Sequence, residues 1–488
     1  MGSIEKIETR LFINGKFVES SNGQTFPIRN PTTREVVAEV HEASERDTDA
    51  AVAAAKAAFP SWSALSPDER GTYLKKLAAL LRENGKELAA LDAMSMGRPV
   101  STYFDNYTAA SSFDHYAEAG YDVQGVTSLN TPGFVNMTFK QPYGVVAAII
   151  PWNLPLVFVG NKVAPALAAG NTVVLKSSEK APLTSAKFAT LVEKAGFPPG
   201  VLNVISGHGQ TSGAILSSHM DVRAISFTGS CRTGRLIQTA AAKSNLKHVI
   251  LELGGKSPAI VFEDCDLDDA VAETQTSVQW NSGQVCMANS RIYVQESIAD
   301  MFVEAFKAKI AAISPGDPLD PATTHGPQAD AAQYETVHKY ISAGKESGEL
   351  VLGGTPELAG LPDKAQKGYF VPPTVFLRTR EDATIMKEEI FGPVVNINTF
   401  ETEEEVIAKA NDSEFGLYAA VYTRDINRAM RFAKALEAGT VGVNCTSPFV
   451  AKDMPFGGFK SSGVGREGFG FSLNNFLETK TVMIKIKP

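Results

Sequence analysis

The stretch at residues 144–179, GVVAAIIPWNLPLVFVGNKVAPALAAGNTVVLKSSE, decides the fold. It opens on GVVAAII, an apolar run too short for a helix and stopped by a proline, which reads as a buried strand. PLVFVGNKVAPALAAG reads as a helix that stops at Gly170, and NTVVLK as a second strand. A strand, a helix and a strand, with both strands apolar at the centre, predict a βαβ unit in a parallel sheet covered on both faces. The pattern continues: TSAKFATLVEKAG is a helix closed by Gly196, and GVLNVIS, AISFTG and KHVILELGG are strands.

Upstream, DTDAAVAAAKAAF and PDERGTYLKKLAALLRENGKELAALDA carry helical spacing. After Gly255 a second α/β region opens with PAIVFE, the helix DLDDAVAETQTSVQW and a cysteine segment. It continues through the strands RIYVQES, VLGG, VFLRT, VVNINTF and AAVYTRD. The tail TKTVMIKIKP alternates apolar residues with Thr or Lys and reads as a strand with one wet face, able to pair outside its own domain.

At 488 residues the chain exceeds one ordinary core, so two or three domains are expected. A composition 44% hydrophobic and 20% charged is that of a folded globular protein. The net charge of −8, with both signs mixed along the chain, disfavours nucleic acid and anionic membranes as main partners. The longest apolar run, YGVVAAIIPW, is too short to span a bilayer. MGSIEKIETRLFING has no secretory h-region, Lys6 breaks the myristoylation motif, and KIKP matches no retention signal, so a cytoplasmic location is expected. Cys231, Cys265, Cys286 and Cys445 form no CxxC pair, disulfide framework or zinc-ligand spacing, so no metal is expected and a reducing compartment fits.

Several motifs sit where chemistry is possible. VISGHGQTSG places Gly207, Gly209 and Gly213 after a strand, one residue off the dinucleotide fingerprint. FTGSCRTGR holds Gly229 and Gly234 around a strand-to-helix turn, but Arg235-Leu236 replaces the Lys-Ser/Thr of an ATPase loop. Its free N–H groups suit a phosphate, and taken alone it reads equally as a plain βα turn. Lys176 and Glu179 lie just past the carboxyl end of a strand, where a carboxylate can accept from both hydroxyls of a ribose or simply belong to an exposed loop. Asn153, in the proline-stiffened PWNLP, is either an oxyanion donor or a helix cap. Glu252 stands inside an apolar run before Gly254-Gly255, where burial would raise its pKa and suit it to general-base work in an interdomain cleft. Cys286, in GQVCMANSR, reads as a nucleophile or as a buried small hydrophobe.

The order PWNLP, LKSSE, FTGS, LELGGKSP, GQVCMA, EEIFGP and PFGGFKSSG resembles the NAD(P)-dependent aldehyde dehydrogenase superfamily, closest to its classical cytosolic and mitochondrial group. The likeness runs from LFINGKFVES to FLETKTV. It implies an α/β fold with a Rossmann-like cofactor domain at 1–123 and 143–254 and an α/β catalytic domain at 255–461. A small β oligomerisation arm is implied at 124–142 and 477–488, whose C-terminal strand joins the sheet of a neighbouring subunit in a homodimer or homotetramer.

The resemblance further implies that Cys286 attacks an aldehyde as thiolate and that Asn153 and the Cys286 N–H hold the oxyanion. Glu252 then activates the water that hydrolyses the thioester, while Lys162 and Glu467 match positions that relay the proton outward. For the cofactor it implies Trp152, Lys176, Glu179, Gly229, Ser230, Gly234, Glu389 and Phe391, with Glu179 favouring NAD over NADP. The substrate tunnel is implied to be lined by Leu154, Phe158, Asn161, Trp280, Val285, Met287 and Phe449, which suits an aliphatic or aromatic aldehyde. Asn161 and Trp280 depart from the residues common there. Two alternatives are a CoA-acylating enzyme, which retention of Glu252 disfavours, and a non-catalytic binding or structural protein, which the intact Cys286, Glu252 and Asn153 argue against.

Overall fold

Strands and helices alternate along the chain in the computed structural model, which describes residues 7–355, 358–447 and 452–487. An eight-stranded sheet is built around five parallel strands in the spatial order Leu202–Ile205, Thr172–Lys176, Val145–Ile149, Val222–Thr228 and His248–Glu252. Leu11–Ile13 and Lys16–Val18 extend one edge and Gly463–Val464 the other, all antiparallel to their neighbours. Every residue of Val145–Ile149 and Thr172–Lys176 is buried, as their apolar runs require of a sheet covered twice.

The two-residue period of the strand divides that burial. Val146, Ala148, Val173 and Leu175 join a core with Trp62, Leu74, Phe113 and Phe188, whereas Val145, Ala147, Ile149 and Val174 meet Ala51, Val52 and Leu216 in another. Each buried Val, Leu or Ile side chain contributes roughly 1.5–3 kcal/mol of transfer free energy. Strand order then fixes where a ligand fits. From Val145–Ile149 the chain adds two strands to one side, then crosses to Val222–Thr228 on the other. The reversal leaves a crevice beyond the carboxyl ends of those two neighbours.

A second sheet has seven strands, ordered Glu349–Leu352, Thr374–Leu377, Val394–Phe400, Arg291–Gln295, Pro258–Val261, Tyr418–Tyr422 and Thr440–Val443. Only the first pair is antiparallel. Its two faces are likewise covered by separate cores.

The tail strand Leu477–Lys485 pairs antiparallel with Phe134–Pro142, and Thr127–Ser128 flanks the latter. Thus the tail pairs within its own chain. The expectation of one wet face gives way to exposure on both faces: Met483 is 71% and Ile484 44% exposed. Leu477 is buried in the core under the first sheet, whereas toward the end of the tail strand the apolar side chains are left exposed. Among the described residues no helix is long and apolar enough to cross a membrane.

Candidate active site

The crevice holds a cavity of about 220 Å³. Pro151, Trp152 and Asn153, after one central strand, line it together with Thr228, Gly229 and Ser230, after the neighbouring strand. Phe158, Leu253, Gly254, Cys286, Glu389 and Phe391 complete much of the wall. Ser230 caps the 13-residue helix Cys231–Lys243, its side chain accepting from the Thr233 N–H at 3.3 Å, so a helix N-terminus lies at the cavity. Gly234 lies inside that helix instead: a Cβ there would meet Leu253 at 2.8 Å, so its role in the structure is close packing.

Lys176 and Glu179 lie beyond the carboxyl end of the adjacent strand, along the same sheet edge. The Lys176 ammonium is buried and donates to the Ser177 carbonyl at 2.8 Å. Burial lowers its pKa to about 8, while Glu179 and Glu42 act in the opposite direction. A helix N-terminus for phosphate, a carboxylate past a strand end for ribose and an aromatic wall at Trp152 and Phe391 fit a dinucleotide. Those two rings meet edge to face at 5.3 Å.

Cys286 is half-buried, four residues before the end of the loop that leads into Arg291–Gln295. The loop is shaped by three consecutive residues with positive φ: Asn281 at 51°, Ser282 at 53° and Gly283 at 75°. Glycine is required at the third, because a Cβ would lie 2.2 Å from the Gly392 backbone. Gln284 ties the turn down, donating to the Asn281 carbonyl at 3.0 Å and accepting from the Ala329 N–H at 2.9 Å. Asn153 joins this loop from the other sheet: its side-chain amide donates to the Gln284 carbonyl at 3.0 Å, and Asn281 donates to the Asn153 carbonyl at 3.3 Å. One of the two amide hydrogens of Asn153 is thereby used for positioning.

Burial pushes the Cys286 thiol up to about 12, with the nearby carboxyls of Glu389 and Glu252 adding to it and the N–H groups of Cys286 and Met287 opposing. Glu252, at the end of His248–Glu252, is 2% exposed and neither carboxyl oxygen has a hydrogen-bond partner. Burial, then Glu467, holds its pKa well above the carboxylate range; Lys162 and Arg466 pull the other way. Any side chain at Gly457 would meet Glu252 Oε1 at 2.8 Å, which accounts for glycine beside the carboxyl. Lys162, on the helix Pro155–Ala168, pairs with Glu467 at 2.6 Å and donates to Ser226 at 3.1 Å, all within the protein interior. Glu389 accepts from the Gly255 N–H at 3.1 Å and is raised to about 7 by burial. Gly254 permits that approach, since a Cβ there would lie 2.2 Å from Glu389 Oε2.

A second cavity, of about 320 Å³, is lined by Ala272, Glu273, Thr276, Ser277, Trp280, Val285, Thr446 and Ser447. Of the sequence-assigned tunnel residues, Trp280 and Val285 lie here, and Phe158 lies on the first cavity. Leu154 and Met287 are buried in the flanking cores, and Asn161 is half-buried but lines neither of these cavities. Phe449 lies outside the described residues. Sequence reasoning missed Ala272, Glu273, Thr276 and Ser277. Together with Trp280 they recur at helical spacing on Leu267–Gln279 and its cap, and that spacing was the available signal. Gln333, which donates to the Phe391 carbonyl at 2.8 Å and lines the first cavity, carried no such signal.

The model of the aldehyde dehydrogenase family matches residues 17–482. An aldehyde dehydrogenase of Davidiella tassiana is 47% identical over 480 residues, covering 98% of this chain and 95% of that relative. Human retinal dehydrogenase 2 is 45% identical over 484 residues, covering 98% and 92%. Among solved structures, a mutant of the P. syringae indole-3-acetaldehyde dehydrogenase in complex with NAD+ and IAA superposes with a TM-score of 0.95 at 40% identity, covering 99% of this chain and 98% of that one. The chain belongs to the aldehyde dehydrogenase family and is an NAD(P)-dependent aldehyde dehydrogenase.

Proposed function

We propose that this enzyme oxidises an aliphatic or aromatic aldehyde to its carboxylic acid with NAD, through a covalent adduct on Cys286 and water activated by Glu252. The observation that carries the reading is the buried Glu252 carboxyl, without a hydrogen-bond partner, close enough to the Cys286 thiol to raise its pKa. A buried orphan carboxyl is costly and serves as a proton acceptor for a thiol or a water. In the first step the Cys286 proton passes to Glu252, which sheds it toward the Lys162–Glu467 pair; Sγ bonds to the carbonyl carbon as the C=O π pair moves onto oxygen, and the oxyanion is held by the second Asn153 amide hydrogen and the Cys286 N–H.

NAD, when bound, would supply the hydride acceptor for the former carbonyl carbon. The thioester left on Sγ is attacked by water whose proton passes to Glu252, and the thiol is the leaving group. Lys162 and Glu467 offer that proton a buried charged pair toward Ser226. Glu389 and Phe391 would hold the nicotinamide ribose and ring, Ser230 the pyrophosphate, and Lys176 and Glu179 the adenosine ribose, with Trp152 and Gly229 on the wall of the same cavity. A carboxylate at Glu179 repels a 2′-phosphate, which favours NAD over NADP.

The test is NADH formation across short aliphatic, long aliphatic and aromatic aldehydes, with NADP+ in parallel, beside Cys286→Ala. The expected result is turnover in the native enzyme, faster with NAD, and its loss in a variant that still binds NAD. Equal turnover in Cys286→Ala would overturn the reading.

A further inference from the structure

Behind the second cavity lies a buried charge cluster that the reaction described above does not use. Arg98, 1% exposed, follows the helix Gly85–Met96. Its Nη1 pairs with Asp105 Oδ1 at 2.5 Å and its Nη2 donates to the Thr102 carbonyl at 3.0 Å. Neither Arg98 nor Asp105 has side-chain exposure to solvent. Asp92, also fully buried, accepts from the Thr184 hydroxyl. Its burial, reinforced by Asp105, raises the carboxyl to about 8, so near neutrality it keeps its proton.

The planar guanidinium is not consumed by these bonds. Its centre lies 4.6 Å from the centroid of the Trp280 ring and 5.2 Å from that of Phe104, and Phe104 stacks on Trp280 at 5.5 Å with 25° between the planes. Trp280 touches both the core under the first sheet and the core of the second, and it lines the 320 Å³ cavity beside Val285, the residue before Cys286. An indole packed against two flat partners that also touch each other, one of them anchored by a buried ion pair, keeps one orientation. The same indole begins the left-handed turn that delivers the thiol.

We propose that Arg98 is a positioning residue for substrate selection: clamped by Asp105, it fixes Trp280 as a flat wall, and that wall favours aldehydes carrying a ring over linear ones. Dispersion and quadrupole contact with a fixed indole reward a flat substrate more than a flexible chain, which must also lose rotamer freedom to lie against it. The proposal rests on the aldehyde-oxidation reading. It takes Trp280 as a wall already in place and adds what holds that wall.

The experiment compares kcat/KM for phenylacetaldehyde and hexanal in the native enzyme, Arg98→Lys, Trp280→Phe and the double variant, with NAD saturating. Lysine keeps the cation opposite Asp105 and loses the planar face. The expected result is a fall of about five- to tenfold in the ring-to-linear ratio for Arg98→Lys, with no further fall when Trp280 is already Phe. The same ratio read as Kd by calorimetry on NAD-bound Cys286→Ala separates binding from chemistry. A native enzyme that binds both aldehydes and turns over neither would defeat the function reading while still testing this one. Equal losses on both aldehydes, or the same drop in the Trp280→Phe background, would overturn the proposal. If Arg98→Lys does not fold, Arg98→Met with Asp105→Asn removes both charges together and is judged by the same ratio.

Discussion

Burial raises both Glu252 and Cys286 above their ordinary pKa values, and the Glu252 carboxyl adds to the rise at Cys286. Water activation needs Glu252 as carboxylate, so its raised pKa sets a direction for activity. With kcat limited by hydrolysis, the rate should fall about tenfold per pH unit below the Glu252 pKa, and that pKa should lie above the ordinary value of about 4.3. A pH–rate profile checks this, and undiminished kcat at about pH 5 would contradict it. At this scale Glu252 stood out as a carboxyl inside an apolar run, whereas Cys286 and Asn153 each kept a plain structural reading until the order of the motifs was taken together. What the motifs could not give is the partner of each. The contact of Asn153 with the Gln284 carbonyl joins residues 131 positions apart, and no local pattern encodes it.

The helices and strands carry predictions of their own. The helix Gly85–Met96 buries Asp92, whose carboxyl stands at about 8 in the fold against 3.8 ordinarily. Between those values the unfolded chain releases a proton that the folded chain keeps, so the fold loses stability as pH rises from about 4 to about 8 and no further above it. Asp92→Asn retains an acceptor for Thr184 and cannot ionise. It should therefore raise the melting temperature relative to the native protein more at pH 8 than at pH 5, with a gain on the order of 2–5 kcal/mol at the higher pH. Scanning calorimetry at the two pH values checks this, and an equal or reversed difference would contradict it. Most elements were readable from period and punctuation: Val145–Ile149 is an unbroken apolar run, Thr172–Lys176 has one at its centre, and Gly196 at φ 79° ends the helix Leu183–Ala195. The buried cluster of Asp92, Arg98 and Asp105 was not readable, because a polar residue on a mostly apolar helix looks the same whether it faces solvent or a partner.

At the scale of the whole molecule, the arm formed by Phe134–Pro142 and Leu477–Lys485 exposes Val126, Leu129, Met483 and Ile486 at 70%, 70%, 71% and 47%. A soluble chain seldom leaves such a sheet uncovered. We propose that a second copy covers it, giving a homodimer or a dimer of dimers. Light scattering should return two or four times the 52.2 kDa of one chain. A mass of one chain would contradict the proposal. The tail's alternation was legible as a strand, whereas its grouping with 124–142 came only from the resemblance, since pairing across more than 300 residues leaves no mark in either segment. The position of the cofactor crevice, by contrast, followed from strand order once the parallel sheet was recognised.

The central claim is that Cys286 alone carries the acyl group and Glu252 releases it. The direct measurement is mass spectrometry of Glu252→Gln after incubation with NAD and an aldehyde that the native enzyme oxidises. Deacylation should slow by about 10²–10⁴-fold, so an acyl adduct should accumulate on the peptide containing Cys286. An adduct on Cys231, Cys265 or Cys445, or NADH release at the native rate without any adduct, would contradict the account.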